Sequence, residues 1–433
     1  MTTTVGAASE LGFAAGCDAV AGYLSEVLTA LGGLAAGTGR VDDATRVDRI
    51  SLLEKIKGAV AAAQAAEMVQ FARSQVAAQR DVGVNYRRLG QGIAEQIGLA
   101  TRTGPWHGAR KLTLARDLAT ELPGTFDLLS RGEISEYVAQ LVAAETSHLD
   151  ADTRRRVDQQ LAAAEVDQLA PRQAAGLARR LAYAADPQSA VKRARNARAD
   201  RRVSLRPAPD TMTWFTALLP VEQGVACLAA LRRHTDTLKA QGDVRSRGQI
   251  MADTSVERLT GQVAAEDVPV EVNIVMPLDS LLDSRQATPA ELSGQGPLPA
   301  GLAEDIIGLS CGSKRWRRLF TAPTGWIGQP SVVGADRKSR RFTGPLATLI
   351  RLRDGGTCRE LYCGAPIRHY DHIIPFRDGG PTSYVNGRGV CERHNYAREM
   401  PGWHIELLAD RPHTVITVTP TGHSYLGQAP NPP

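Results

Sequence analysis

Through the first two hundred residues, apolar side chains recur three or four positions apart. Between 42 and 80, Val47, Ile50, Leu53, Ile56, Val60 and Ala63 share one helical face, and Asp42 or Asp43 stands where a cap belongs. This spacing predicts one long helix. Similar patterns predict helices over 106–122, 133–145 and 150–184, the first two separated by the turn residues Pro123-Gly124 and Gly132. After 202 the period changes. Met212, Trp214, Thr216 and Leu218 alternate with smaller residues, as do Val270, Val272, Ile274 and Met276, while 221–263 reads as two helices. The expectation is a small α+β part, a sheet covered by helices. Residues 284–303, rich in Pro, Gly and Ser, read as a linker. Near the end, Ile405 and Leu407 alternate and 415–418 form a second strand before Pro420-Thr421-Gly422. These predict a closing hairpin with His404, His413 and His423 on its surface.

Composition sharpens the helical reading. The 433-residue chain is rich in alanine and only 5% aromatic. Alanine has the best helix propensity because it loses no side-chain entropy. No apolar run is expected to approach the ~20 residues that span a bilayer. The N-terminal MTTTVGAASELGFAAGC lacks the charged start of a secretory signal. A soluble, cytoplasmic protein without a membrane partner is the expectation.

Charge is unevenly placed. From Arg337 to Trp403 there are twelve Lys/Arg against six Asp/Glu, whereas the whole chain carries only +5. A basic excess confined to one segment predicts an anionic partner there, nucleic acid first. The knot at 314–318 reads as solvated surface, and so does the run 192–202. Arg340 and Arg341, in the second knot, are candidate phosphate contacts. The helices at 105–145 lack basic residues concentrated on a second helix, so a plain bundle is preferred to a helix-turn-helix reader.

The candidate chemistry lies in CRELYCGAPIRHYDHIIPFRDGGPTSYVNGRGVCERHNYARE, from Cys358 to Glu399. Cys358 and Cys363 are spaced C-x4-C, and Cys391 and His394 C-x2-H, whereas Cys17, Cys227 and Cys311 are isolated. Two tight pairs of sulfur and nitrogen donors suit tetrahedral Zn²⁺, in preference to unrelated buried thiols. Such a site could contribute ~10 kcal/mol or more to folding. Between the pairs lie Asp371-His372-Ile373-Ile374-Pro375, Gly379-Gly380 and Asn386, with Asn395 after Cys391. A histidine can be a neutral base near pH 7, and a carboxylate with an amide oxygen can hold a hard divalent ion. Cys391, His394, Asn395 and Arg398 form one helical stripe, which places Arg398 to meet a phosphate. Asp371 and His372 are adjacent, and a regular strand would point them to opposite faces. Taken alone, the pair also fits a surface turn with a structural histidine.

This stretch of about 45 residues resembles the HNH endonuclease motif on a ββα-metal fold. The resemblance implies that His372 is the general base and Asp371 a ligand of the catalytic ion. It implies further that Asn386 holds the loop that orients the base. Asn395 falls where many members carry a final histidine, giving an H-N-N pattern whose amide oxygen favours Mg²⁺ or Mn²⁺ over zinc. His394 stands where many carry a fourth cysteine, and either residue binds zinc. The order of parts is similar to the 13E12-repeat family, in which a helical N-terminal domain of unknown function 222 precedes an HNH module. LPGTFDLLSRGEIS at 122–135, SGQGPLP at 293–299 and PTGHSY at 420–425 carry that wider likeness.

The expected architecture is therefore a mainly α N-terminal region (1–200) with a small α+β part (201–282). A linker and basic segment (283–345) follow, then a zinc-stabilised ββα-metal module with its closing hairpin (346–428). The expected activity is metal-dependent cleavage of DNA, expected to be double-stranded, leaving a 5′-phosphate and a 3′-hydroxyl. The competing reading is a zinc-stabilised nucleic-acid-binding module without significant cleavage. A third is that the N-terminal helices mediate self-association.

Overall fold

A computed structural model of the chain describes residues 19–37, 39, 41–265, 274–275, 289–292, 296–309, 340–408 and 413–430. The chain is mainly helical, with small antiparallel sheets, most of them toward its C-terminus. The first helix, α1 (Ala19–Ala36), has a mean hydropathy of 1.4 and exposed side chains along its length. By length and composition alone it is apolar enough to cross a bilayer, so the expectation that no run approaches that length needs correcting.

The long helix α2 (Asp43–Asp81) starts where the sequence places it, because Asp42 accepts a hydrogen bond from the Thr45 amide at 3.0 Å. Next come α3 (Ile93–Ala100), α4 (Pro105–Thr120), α5 (Pro123–Ser130) and α6 (Glu136–Thr146). Pro123 does not simply break a helix, since it occupies the first turn of α5, where its missing N–H costs nothing. The open amides at that end go to Asp158, which accepts from Gly124 at 2.6 Å and from Thr125 at 3.0 Å.

The single helix expected over 150–184 is two, α7 (Ala151–Ala163) and α8 (Pro171–Ala185). Glu165 turns left-handed at φ 48° and Pro171 can only begin a new helix. Helix α9 (Pro187–Ala197) follows, with no buried residue. The core of the bundle is made of Leu118, Leu122, Leu129, Val142, Leu161 and a row of alanines that includes Ala139, Ala174, Ala178 and Ala182. Alanines at the crossings let helix backbones approach closely.

Strands β1 (Arg202–Pro207) and β2 (Thr213–Leu218) pair antiparallel, and α10 (Val221–Ala240) and α11 (Arg247–Thr260) follow as two helices. Both strands are exposed along their length, so the helices do not cover this hairpin as expected. Nor does it share a sheet with the later strand. Among the described residues, β3 (Ile274–Val275) pairs with β4 (Ala290–Leu292), which pairs with β5 (Gly296–Leu298). Helix α12 (Ala300–Leu309) packs on them through Ala303. The expected linker is therefore partly folded, with Ala290 and Leu298 buried. Residues 270–273, Met276 and the basic knot at 314–318 lie outside the described residues.

Helix α13 (Gly344–Arg353) opens the C-terminal part, and its Leu346 and Ile350 meet Phe342 and Tyr384. Strands β6 (His369–His372) and β7 (Gly387–Val390) pair antiparallel, and the short helix α14 (Glu392–Ala397) follows. The closing hairpin is in fact a three-stranded meander of β8 (His404–Leu408), β9 (Thr414–Val418) and β10 (Ser424–Gln428), with β9 central.

Candidate metal centre

Cys358 and Cys363 lie on the turn before β6, Cys391 is the cap residue of α14 and His394 sits in its first turn. All four are buried, and their ligand atoms lie within 4.8 Å of one another. His394 Nδ1 stands 3.4 Å from the sulfurs of both Cys358 and Cys391, and the Cys363 and Cys391 sulfurs are 3.9 Å apart. A tetrahedron built with Zn–S of ~2.3 Å and Zn–N of ~2.0 Å has edges of roughly 3.5–3.8 Å. The cluster matches that size and donor chemistry, so it could hold a structural zinc. Burial opposes the charging of His394, but hydrogen bonds to Cys363 and Cys391 and the charge of Glu360 outweigh it and push the imidazole up to about 10.

Around this cluster the interior is ionic. Arg388 on β7 is fully buried and pairs with Glu360, on the turn between Cys358 and Cys363. It also reaches Asp371, its register partner on β6, at 3.4 Å. Asp354 receives Arg353 through two bonds of 2.8 and 3.0 Å, accepts the Gly389 amide at 2.7 Å and pairs with Arg359 at 3.2 Å. Arg359 in turn donates to the His413 carbonyl at 2.9 Å, which ties the turn to the meander. His413 is itself buried and bonds the Val385 carbonyl at 3.1 Å, a correction to its expected place on the surface. Burial pushes its pKa down to about 3, helped by Arg353 and Arg359. His404 and His423 are exposed as expected.

The basic excess thus needs a different reading. Arg353, Arg359 and Arg388 are interior counterions rather than surface charge. Arg398 is nearly buried too. Its guanidinium holds the Asp371 carboxylate and the His372 carbonyl, and it donates to the Ile373 carbonyl at 3.2 Å. It does not face outward as a free phosphate contact. Arg340 and Arg341 are exposed, and Arg340 is close enough to His372 to bear on its charge.

His372 is the last residue of β6 and is 7% exposed. Its ring lies against Phe342, at 4.5 Å between centroids, and Phe376, at 5.7 Å. Its Nε2 is 2.8 Å from the Thr382 hydroxyl. Burial lowers its pKa from 6.5; Asp371 opposes this, and Arg398 and Arg340 add to it. Asp371 and His372 therefore meet different neighbours, as adjacent strand residues must. Arg398 bridges the carboxylate of one and the backbone of the other.

Asn386 fixes the loop that leaves His372. Its Oδ1 accepts from the Ile374 amide at 2.8 Å, and its Nδ2 donates to the carbonyls of Ile374 at 3.0 Å and Pro381 at 2.9 Å. The glycine pair has a reason as well. Gly379 is left-handed at φ 88°, and a side chain at Gly380 would run into the Ile374 carbonyl and the Asn386 amide. Asn395 is half-buried on α14, which packs beside β6. His369 faces Tyr396, with centroids 6.3 Å apart.

Sequence reasoning passed over Thr382, Glu360, Arg388 and Asp354. One signal was available, since a charged pair between two cysteine ligands (Arg359-Glu360) is forced inward when the ligands converge.

No curated protein and no solved structure gives a significant match to the chain. The family model described as "Domain of unknown function (DUF222)" matches residues 51–354. That span takes in the bundle, the strands β1 to β5 and α13, and it ends on the buried Asp354. Because the match covers well over half of the chain, this protein belongs to the DUF222 family.

Proposed function

We propose that residues 340–430 form an HNH-type module on a ββα-metal fold that hydrolyses DNA phosphodiester bonds. The observation that carries this reading is the setting of His372. It closes a strand, it is buried against two aromatic rings, and the loop behind it is pinned by Asn386. Its lowered pKa keeps the ring neutral at physiological pH, as a general base must be. Nε2 is engaged with the Thr382 hydroxyl, and in the tautomer that donates to it Nδ1 keeps the lone pair that would take a proton from water.

Asp371 and Asn395 would hold the divalent ion, and their hard oxygens suit Mg²⁺ or Mn²⁺. When bound, that ion supplies Lewis-acid stabilisation of charge on the phosphate and the leaving oxygen. Arg398 orients Asp371, and Arg340 and Arg341 receive the DNA backbone beside the histidine. Cys358, Cys363, Cys391 and His394 bind zinc and fix α14.

Supercoiled plasmid incubated with zinc-loaded protein and Mg²⁺ or Mn²⁺ tests this. Nicking is expected, with His372→Ala slowing it by about 10²–10⁴-fold. Because the histidine is depressed below 6.5, the rate should hold near neutrality and fall as pH drops through its folded value. Nicking that persists in the alanine variant would overturn the assignment.

One observation favours a second reading, a zinc-stabilised module that binds nucleic acid without cutting it. The Asp371 carboxylate is already engaged by Arg388 and Arg398. That reading expects a salt-dependent gel shift, no nicking with any metal, and binding unchanged in Asn395→Ala.

A further inference from the structure

Helix α3 is buried at every residue from Ile93 to Leu99, although only one of its sides faces the bundle core. On that side Ile93 and Ile97 join Ala72 and Leu112. A side chain at Gly108 of α4 would collide with the Ala94 carbonyl, so the two helices touch backbone to backbone. The other side carries polar groups. Glu95 is 4% exposed and accepts from Arg393 of α14 at 2.9 Å. Gln96 accepts from Thr421 in the β9–β10 turn at 3.3 Å and donates to Gln75 of α2 at 3.2 Å.

Gly92, at φ 85°, precedes the helix, and a Cβ there would lie 2.9 Å from Nε1 of Trp403. A buried carboxylate without its cation is costly, and so is a buried amide without a partner. The polar side of α3 is therefore built for the surface that covers it. That surface is also specific, because Arg393 stands between the ligands Cys391 and His394 and two residues before Asn395.

We propose that the helical DUF222 region serves as the docking platform for the metal-ligand helix, with α3 as the contact element and Glu95–Arg393 as its anchor. The DUF222 match and the C-terminal module then form one working unit, in which the bundle sets the position of α14. This role goes beyond the nuclease reading and does not depend on whether the module cuts.

The test is amide hydrogen exchange on the full-length, zinc-loaded chain, with zinc content and circular dichroism measured alongside. Arg393→Glu places like charge opposite Glu95, and Gly92→Leu drives a side chain against Trp403. Each is expected to raise exchange across residues 391–400 by about tenfold or more, with one zinc per chain retained and with exchange in α5 to α8 unchanged. Arg393→Lys keeps the charge and should stay within twofold of the parent, as should Arg351→Glu on α13. If exchange across 391–400 stays within twofold in both Arg393→Glu and Gly92→Leu, the docking role is wrong. That result would leave the plasmid assay of His372 unaffected, so the two proposals fail separately.

Discussion

The helical bundle and the C-terminal module solve the same problem with opposite materials. The bundle buries leucines, valines and alanines from α2 and from α4 to α8 in one large apolar core, with its buried ionic groups, Arg154 paired to Asp117 and Glu121 and the carboxylate of Asp158, set around that core. The module has small apolar clusters, and between them it buries three arginines, Asp354, Glu360 and the cluster of Cys358, Cys363, Cys391 and His394. An apolar core is held by many small, interchangeable contributions, so single losses are graded. An ionic interior beside a cluster that could hold a metal depends on a few partnerships, each costly to break.

The largest test of that contrast is chelation. Stripping zinc should unfold the module, at a cost of ~10 kcal/mol or more, while the bundle keeps its helices. Circular dichroism and limited proteolysis would show a protected N-terminal core beside a digestible C-terminal part. Simultaneous loss of both would mean that the two interiors are not independent.

Next in size are single substitutions. Arg388→Ala leaves Glu360 and Asp371 short of a cation and should cost the module about 3–5 kcal/mol. Leu129→Ala, in the middle of the bundle, should cost about 2–5 kcal/mol. Arg388→Met together with Glu360→Leu separates the two materials further, since replacing both charges by packed apolar groups is often neutral. Urea denaturation of each variant gives these numbers.

Acid should divide the regions as well. His413 is held neutral down to about pH 3, so its contribution is complete above its unfolded value of ~6.5 and is lost as pH falls below it. The slope approaches ~1.4 kcal/mol per pH unit. In the bundle, burial raises the pKa of Asp158 against the bonds from Thr125 and Gly124. Its effect therefore has the opposite sign, because the folded state prefers the protonated acid. Hydrogen exchange followed from pH 7 to 4 should show residues 413–430 loosening before 123–161; the reverse order would refute the assignment. The smallest effect is expected at the α6 cap, where Ser135→Ala should cost about 1 kcal/mol in thermal denaturation.

The two regions also differed in how readable they were. Helices α4 and α6 stand out because periodicity detects an apolar face that is buried. The face expected of α2 is not the packed one: Val47, Ile50 and Val60 are exposed, and the helix buries Gly58, Ala62, Ala65, Val69 and Ala72 instead. Helix α3 has an apolar face too, but it is only eight residues long, which leaves two turns for a period to show, and its polar side is buried as well. The linker expected over 284–303 concealed β4 and β5, strands of three residues each, too short to show alternation.

In the module the informative signal was residue identity rather than period. Two pairs of cysteine and histidine ligands and an Asp-His-x-x-Pro run were legible through their spacing. Their counterions were not, because the pairing of Arg388 with Asp371 is a matter of strand register. The local basic excess pointed outward on paper, yet three of its arginines face inward.

Asn386 bonds both the amide and the carbonyl of Ile374, as a neighbouring strand would. One side chain thus adds a rung to the ladder beyond the last residue of β6. The loop from Pro375 to Val385 hangs from this fixed root. Its tip carries the exposed Arg377 and Asp378, while Phe376 and Thr382 on either side of that tip return to the histidine at its base. One loop therefore both faces solvent and grips the ring, so changes at its two exposed side chains should be far gentler on the histidine than changes at Phe376 or Thr382.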